Sequence, residues 1–352
     1  MSPSNSTLNN NRIPQTPPVI LPVADTPDRP LWSVMIPAYN CIVYLQETIE
    51  SVLIQDPGAD KMQIVVVDDC STDGDVEALV KKVGRGRVQL FKQDQNSGSL
   101  RNFETCLNRS KGKWIHLLHG DDRVEPGFYA EIESLFLKYP EAGAAFTRNC
   151  FINRASHVIS EKKKLIAKDG IVDDFLLRSA TFQKLDPPAI VVKRTVYEQL
   201  GGFFAVHYGE DWEMWTRIAA HYPVAYSPKC LAAYRIVENN NISHWSIISG
   251  QNIQDMLKVI NIIQQYLPAD KRKAIKQQSL AHYSIYFMKA ANGMLGSNRK
   301  AALSQAKKAW NMCRNVRTTY WIIRFYLMYL FKVKEVQQFI AKYSVSITSA
   351  LD

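Results

Sequence analysis

From Leu31 onward, short apolar runs rich in β-branched residues alternate with stretches in which apolar side chains recur at helical spacing. No other feature restricts the possible folds as strongly. Trp32–Pro37 (WSVMIP), Gln63–Val67 (QIVVV), Val88–Phe91, Trp114–Leu118 (WIHLL) and Gly143–Phe146 read as strands. Between them, Tyr44–Gln55, Asp75–Val83, Leu100–Leu107 and Pro126–Tyr139 read as helices. In the first helix Leu45, Ile49, Val52 and Leu53 share a face, and in the last a proline takes the first helical position. Strands this apolar need cover on both faces, and strand–helix–strand links this short make parallel crossovers. The expected class is α/β, with a mostly parallel central sheet and helices on both sides.

The flanking regions differ in texture. Residues 1–30 are rich in Asn, Ser, Thr and Pro with little to bury, and read as a flexible leader. Residues 31–244 then form the α/β domain. Its second half is less regular, with helices at Asp174–Ser179, Thr195–Leu200 (stopped by Gly201-Gly202) and Asp211–His221, and one or two strands over Val224–Arg235. Residues 245–352 read as a basic helical region, with helices near 250–266, 270–292, 298–313 and 316–342. This last region holds 16 Lys+Arg against four acids, a net of +12 in a chain whose total is +10, so residues 1–244 carry −2. Such asymmetry suggests two jobs.

Six scattered cysteines with no close pair argue against a disulfide framework or a zinc site and fit a reducing compartment. The N-terminus lacks a basic n-region and an apolar h-region. No apolar run reaches the roughly 20 residues of a membrane-spanning helix, and Tyr320–Phe331 is short and interrupted by Arg324. A soluble or peripheral cytoplasmic protein is expected.

In an open parallel sheet, ligands sit at the carboxyl ends of the strands. Three strands run into polar ends: Pro37-Ala38-Tyr39-Asn40, Asp68-Asp69-Cys70-Ser71-Thr72-Asp73, and His119-Gly120-Asp121-Asp122. A tyrosine there can stack on a base, and a carboxylate can accept the base's hydrogen bonds. Adjacent carboxylates at a buried strand end repel unless a cation lies between them, the role of a hard divalent ion that bridges phosphate oxygens. Each loop alone also fits plain turn or cap chemistry. Their occurrence at successive ends of one sheet favours a ligand site.

The series VMIPAYN, VVVDDCSTDG, NSGSLRN and WIHLLHGDD resembles glycosyltransferase family 2, whose members share the GT-A fold. The likeness spans roughly residues 32–235 and extends to Gly209-Glu210-Asp211-Trp212 opening a helix, where the family has an acidic pair. The resemblance implies that Pro37 and Tyr39 line the nucleotide base and that Asp69 binds its ring. It implies that Asn96, Gly98, Arg101 and Asn102 close over the ribose and diphosphate. Arg101 also reads as a solvated helix residue in an ion pair. Asp121 and Asp122 match the end of the family's metal-binding D-x-D region, implying Mn²⁺ or Mg²⁺. Asp211 matches the catalytic base, with Glu210 beside it contacting the acceptor. The chain departs from the pattern at His119, where many members carry Asp; the histidine touches the donor sugar or the ion, or is structural.

The implied activity is transfer of one sugar from a UDP-, GDP- or dTDP-linked donor to the hydroxyl of a saccharide or lipid-linked acceptor, in surface polysaccharide or glycolipid assembly. One base on the acceptor side and no evident enzyme nucleophile predict a single displacement with inversion. The Q-x-x-R-W motif and spanning helices of processive members are missing from the sequence. Around Tyr320–Val333 aromatic, aliphatic and basic residues mix as in an interfacial helix. A peripheral membrane contact and a packed helical bundle are both open there.

Other classes fit less well. A nucleotidyltransferase needs a glycine-rich, basic phosphate loop where this chain has PAYNCIVYL, and no G-x-G-x-x-G follows any strand. Acidic strand ends and the lack of a recognised motif argue against a nucleic-acid partner. The alternative reading is a non-catalytic carbohydrate- or nucleotide-binding protein on the same fold.

Overall fold

The computed structural model describes residues 12–236 and 242–332. They form two compact units, one of residues 12–179 with 183–236 and one of residues 180–182 with 242–332.

The first unit is built on one ten-stranded sheet. Its strands are β1 Trp32–Ala38, β2 Met62–Asp68, β3 Gln89–Lys92, β4 Trp114–Leu117, β5 Arg123–Val124, β6 Ala144–Ile152, β7 Val158–Glu161, β8 Gly170–Ile171, β9 Ile190–Lys193 and β10 Val224–Arg235. Its helices are α1 Ile42–Leu53, α2 Val76–Gly84, α3 Ser99–Arg109, α4 Phe128–Lys138, α5 Phe175–Thr181, α6 Arg194–Leu200 and α7 Glu210–His221. The order across the sheet is β3-β2-β1-β4-β9-β6-β10-β5, with β7 beside β6 and β8 beside β10. Strands β3, β2, β1 and β4 are mutually parallel; β9 then runs antiparallel to both β4 and β6, and β6 and β10 are again parallel. The sheet is therefore mixed but mostly parallel, and the long strands end on one rim.

The period of two along the strands sorts their side chains onto two faces. Val34, Ile36, Ile64 and Val66 pack with Leu45, Ile49, Val52 and Val80 of α1 and α2. Met35, Val65 and Val67 pack on the other side with Leu100, Phe103 and Leu107 of α3. Both faces are covered, which is why these strands are apolar throughout. Val224–Arg235 is one strand, with irregularities near Ser227 and Cys230.

The expected flexible leader needs correction over residues 12–30. Ile20 is 1% exposed and packs in the second core. The segment is also tied by its backbone: Gly202 N–H donates to Pro18 O and Ala205 N–H to Pro14 O, both at 2.8 Å. Arg194 donates to Leu21 O at 2.8 Å. A Cβ on Gly201 (φ 77°) would lie 2.8 Å from both Pro17 Cβ and Pro18 O, so glycine admits this close approach. Residues 1–11 of that leader lie outside the described residues.

The second unit is helical: α8 Ile242–Ser249, α9 Gln251–Ile263, α10 Ala269–Gly293, α11 Arg299–Met312 and α12 Val316–Leu330. Asn298 caps α11, and Asn315 forms a reciprocal capping box with Thr318 at the start of α12. Val259, Ile260, Phe287, Met288, Ala302 and Phe325 are fully buried. The part of the expected 316–342 helix beyond Lys332 lies outside the described residues. Among the described residues, no helix is long and apolar enough to cross a membrane.

Candidate active site

The ends of β1 and β2 are laced together. Asn40 takes a left-handed φ of 50°. Its N–H donates to Ser71 Oγ at 3.0 Å, and its Oδ1 accepts Thr72 N–H at 2.8 Å. Asp73 Oδ2 accepts the Ile42 N–H at 2.9 Å. Tyr39 stands out from this lacing with half its surface exposed, so its ring face is accessible. Pro37, by contrast, is buried inside β1, where its carbonyl accepts Gly120 N–H at 3.1 Å. That bond ties the end of β1 to the loop after β4.

The two aspartates ending β2 have different tasks. Asp68 Oδ1 accepts both Ser71 N–H (3.1 Å) and Ser71 Oγ–H (2.5 Å), an Asx turn. Asp69 reaches across to the next loop: it accepts Ser97 N–H at 2.7 Å, Ser97 Oγ–H at 2.8 Å and Gly98 N–H at 2.8 Å. Asn96 donates to the Asp69 carbonyl at 3.1 Å, and its own Oδ1 accepts from Arg12. Gly98 (φ 91°) packs so tightly that a Cβ would meet Arg12 Nε at 2.9 Å. Arg101, partly buried near the start of α3, pairs with Glu104 at 2.7 Å. Asn102, expected to touch the ligand, is 2% exposed and donates to Val67 O at 2.9 Å. It pins α3 to the end of β2, which orients the 96–98 loop indirectly.

The His119-Gly120-Asp121-Asp122 loop follows β4. Thr48 Oγ1 lies 2.6 Å from Asp122 O and 3.1 Å from Gly120 O, fastening the loop to α1. A Cβ on Gly120 would sit 2.8 Å from Cys41 Sγ, so the loop descends where only glycine fits without displacing that thiol. Asp122 is 1% exposed. Its Oδ1 accepts Arg235 N–H at 2.8 Å, while its Oδ2 is buried without a hydrogen-bond partner. Burial, and then the charge of Asp121, push the Asp122 carboxyl well above the usual range. A buried carboxylate with an orphan oxygen is stabilised by a cation. His119, Asp121 and Asp122 each offer a ligand atom, all within 4.8 Å of one another. Burial lowers the His119 pKa, which favours the neutral imidazole. Its ring stacks on Phe103 at 5.1 Å. Hard carboxylate oxygens with an imidazole suit Mn²⁺ or Mg²⁺.

The opposite wall is the start of α7. Gly209 (φ 94°) turns the chain, and Glu210, Asp211 and Glu213 occupy the first helical turn, favourable for the helix dipole. Trp212 anchors this end: it is fully buried, and its indole N–H donates to Ser179 O at 2.7 Å. Asp211 Oδ1 accepts its neighbour Trp212's N–H at 2.7 Å, and Oδ2 accepts Gln183 Nε2–H at 2.6 Å. Burial, and then the charge of Asp186, raise the Asp211 carboxyl to about 6. One narrow cavity is lined by His119, Phe103, Phe203, Glu210, Asp211 and Trp215, among others, so the two walls meet. Tyr234 reports the same convergence, its hydroxyl pushed up by burial and then by Asp122, Asp186, Asp121 and Asp211.

Sequence reasoning missed four contributors. Asp186 is nearly buried, accepting from Asn149 at 2.8 Å and paired with Lys162 at 2.8 Å. Gln183 holds Asp211. Tyr234 and Arg235 end β10, and the Arg235 guanidinium donates to Asp121 O (2.7 Å), Asn153 O (2.8 Å) and Glu47 Oε2 (2.6 Å). Polar residues closing a long strand were the available signal for this last pair. A larger hollow of about 560 Å³, lined in part by Val23, Arg29, Phe91 and Arg109, includes none of the expected site residues.

Residues 33–200 match the family model described as glycosyl transferase family 2. The putative teichuronic acid biosynthesis glycosyltransferase TuaG of Bacillus subtilis is 28% identical over 220 residues, covering 61% of this chain and 82% of that one. The GalNAc(5)-diNAcBac-PP-undecaprenol beta-1,3-glucosyltransferase of Campylobacter jejuni is 25% identical over 279 residues, covering 77% and 85%. Among solved structures, S. aureus TarS 1–349 in complex with UDP-GlcNAc superposes with a TM-score of 0.64 at 17% identity, covering 79% of each chain, a likeness of fold.

Proposed function

Residues 33–200 are a glycosyl transferase family 2 domain on a GT-A fold, and from that premise we propose that the protein moves one sugar from a nucleotide-diphosphate donor to an acceptor hydroxyl with inversion. The observation carrying this is that His119, grouped with Asp121 and the orphan oxygen of Asp122, lines one cavity with Glu210 and with Asp211, whose pKa is raised, while Tyr234 feels the charges of all three aspartates. The base of a UDP-, GDP- or dTDP-linked sugar stacks on Tyr39. Asp69 holds the Ser97–Gly98 loop against the ribose and diphosphate, and Arg101 adds positive charge there. Mn²⁺ or Mg²⁺, held by Asp122 and Asp121, would neutralise the charge that grows on the departing diphosphate. Asp211 takes the proton of the acceptor hydroxyl as its oxygen attacks the anomeric carbon, opposite the bond to the leaving phosphate. Glu210 contacts the acceptor. No second carboxylate is needed as a nucleophile, so the configuration inverts.

One relative is named as a putative teichuronic acid biosynthesis glycosyltransferase and another as a glucosyltransferase of an undecaprenol-linked glycan. Assembly of a surface polysaccharide or glycolipid on a saccharide or lipid-linked acceptor, at the inner face of the cytoplasmic membrane, is the matching role here. The test is turnover of a panel of UDP-, GDP- and dTDP-sugars with Mn²⁺, repeated in EDTA, with the product anomer read by NMR. Turnover abolished by EDTA and an inverted product support the proposal. Absence of turnover with every donor returns the chain to a binding role.

A further inference from the structure

Helix α12 is apolar on two opposite faces. Thr318, Ile322 and Phe325 point into the unit, where α12 packs on α10 and α11. Val316, Tyr320, Ile323, Leu327 and Leu330 recur at intervals of four, three, four and three residues, which places them on one stripe. The stripe lies on the far side of the helix from that core and is exposed, from 51% at Leu327 to 88% at Val316. Phe331 continues it at 70% exposure. A monomeric soluble helix normally turns polar residues outward, so an unbroken apolar stripe calls for a cover.

Charge says which cover. Arg317 and Arg324, both exposed, lie along one edge of the stripe, and Lys332 follows its end. Over residues 242–332 there are 14 Lys+Arg against only Asp255 and Asp270. A second copy of so cationic a surface would be repelled, whereas an anionic bilayer attracts the cations and takes the stripe into its acyl boundary. Tyr320 and Trp321 are the side chains that favour that depth.

We propose that α12 is an interfacial helix that seats the second unit on an anionic phospholipid surface through the Val316–Phe331 stripe. The idea deepens the proposed function and rests on it only for the lipid-linked acceptor such a surface would carry.

The test is flotation of the full chain with vesicles of phosphatidylcholine, with and without phosphatidylglycerol, across a salt series. Donor hydrolysis and light scattering are measured on the same samples. Binding is expected to phosphatidylglycerol vesicles at low salt and to weaken as salt rises. The double variant Ile323→Glu/Leu327→Glu is expected to lose it while retaining donor hydrolysis, which shows that the variant is folded. Arg317→Gln/Arg324→Gln, which leaves the stripe intact, is expected to lower partitioning about fivefold per arginine. No binding to either vesicle, or binding that ignores both variants, overturns the inference. A dimer abolished by the stripe variant, with no vesicle binding, assigns the stripe to a second copy and overturns it equally. Loss of donor hydrolysis in every sample with vesicle binding intact would strike the proposed function and leave this inference standing.

Discussion

Asp211 is held as a general base should be, fixed by two hydrogen bonds and raised toward neutrality by burial and by Asp186. In the proposed mechanism Asp211→Asn lowers kcat by ~10²–10⁴-fold with donor KM little changed, since a positioned base contributes about that much. The base works deprotonated, so kcat/KM should climb as pH rises through about 6 and fall away below it; a pH–rate profile spanning both sides of that value checks the sign. Asp122 makes a separate prediction. If its orphan oxygen binds the ion, saturating Mn²⁺ stabilises the wild type by ~2.7 kcal/mol at a hundred times Kd, visible as a rise in Tm that Asp122→Asn lacks. The acidic loops are legible in the sequence because strand ends are where a sheet offers ligand sites. The burial of Asn102 and Pro37 is not, because residue type alone does not say which way a side chain faces. Asn102 shares its helical phase with buried Cys106, four residues on, and so turns inward.

Two neighbouring elements set the geometry of the cleft: α1, which carries Thr48, and the loop after β4. Thr48→Val keeps the shape but leaves the buried Gly120 and Asp122 carbonyls without the hydroxyl, costing about 1–3 kcal/mol in denaturant unfolding. The same change should weaken Mn²⁺ dependence, because the Asp121-Asp122 backbone is then free to shift. The parallel half of the sheet is legible from the alternation of strand and helix, since each crossover fixes a direction. The reversed β9 is not: hydrophobic period identifies a strand but carries no information on its direction. Asp186, just before β9 and ahead of Pro187-Pro188, is hidden for the same reason.

Across the whole molecule, composition misleads at one place and helps at another. A Pro- and Asn-rich leader looks unable to bury anything, yet Ile20, with Ile13 partly buried against the same core, and backbone hydrogen bonds to Gly202 and Ala205 hold residues 12–30 against the sheet unit. Ile20→Ala should therefore cost about 2–5 kcal/mol, a core-sized loss measurable in chemical denaturation; a flexible segment would register nothing. The uneven charge, by contrast, marks the helical unit as distinct from the amino-acid sequence alone. The central claim is that Asp122 serves the ion and the donor, while Asp211 serves only the acceptor's proton. Calorimetric titration of UDP, GDP and dTDP in the presence of Mn²⁺ tests it on the wild type, Asp122→Asn and Asp211→Asn. The account predicts that one diphosphate binds the wild type and Asp211→Asn alike, and binds Asp122→Asn roughly tenfold or more weakly. Undiminished binding by Asp122→Asn, or a loss confined to Asp211→Asn, would contradict it.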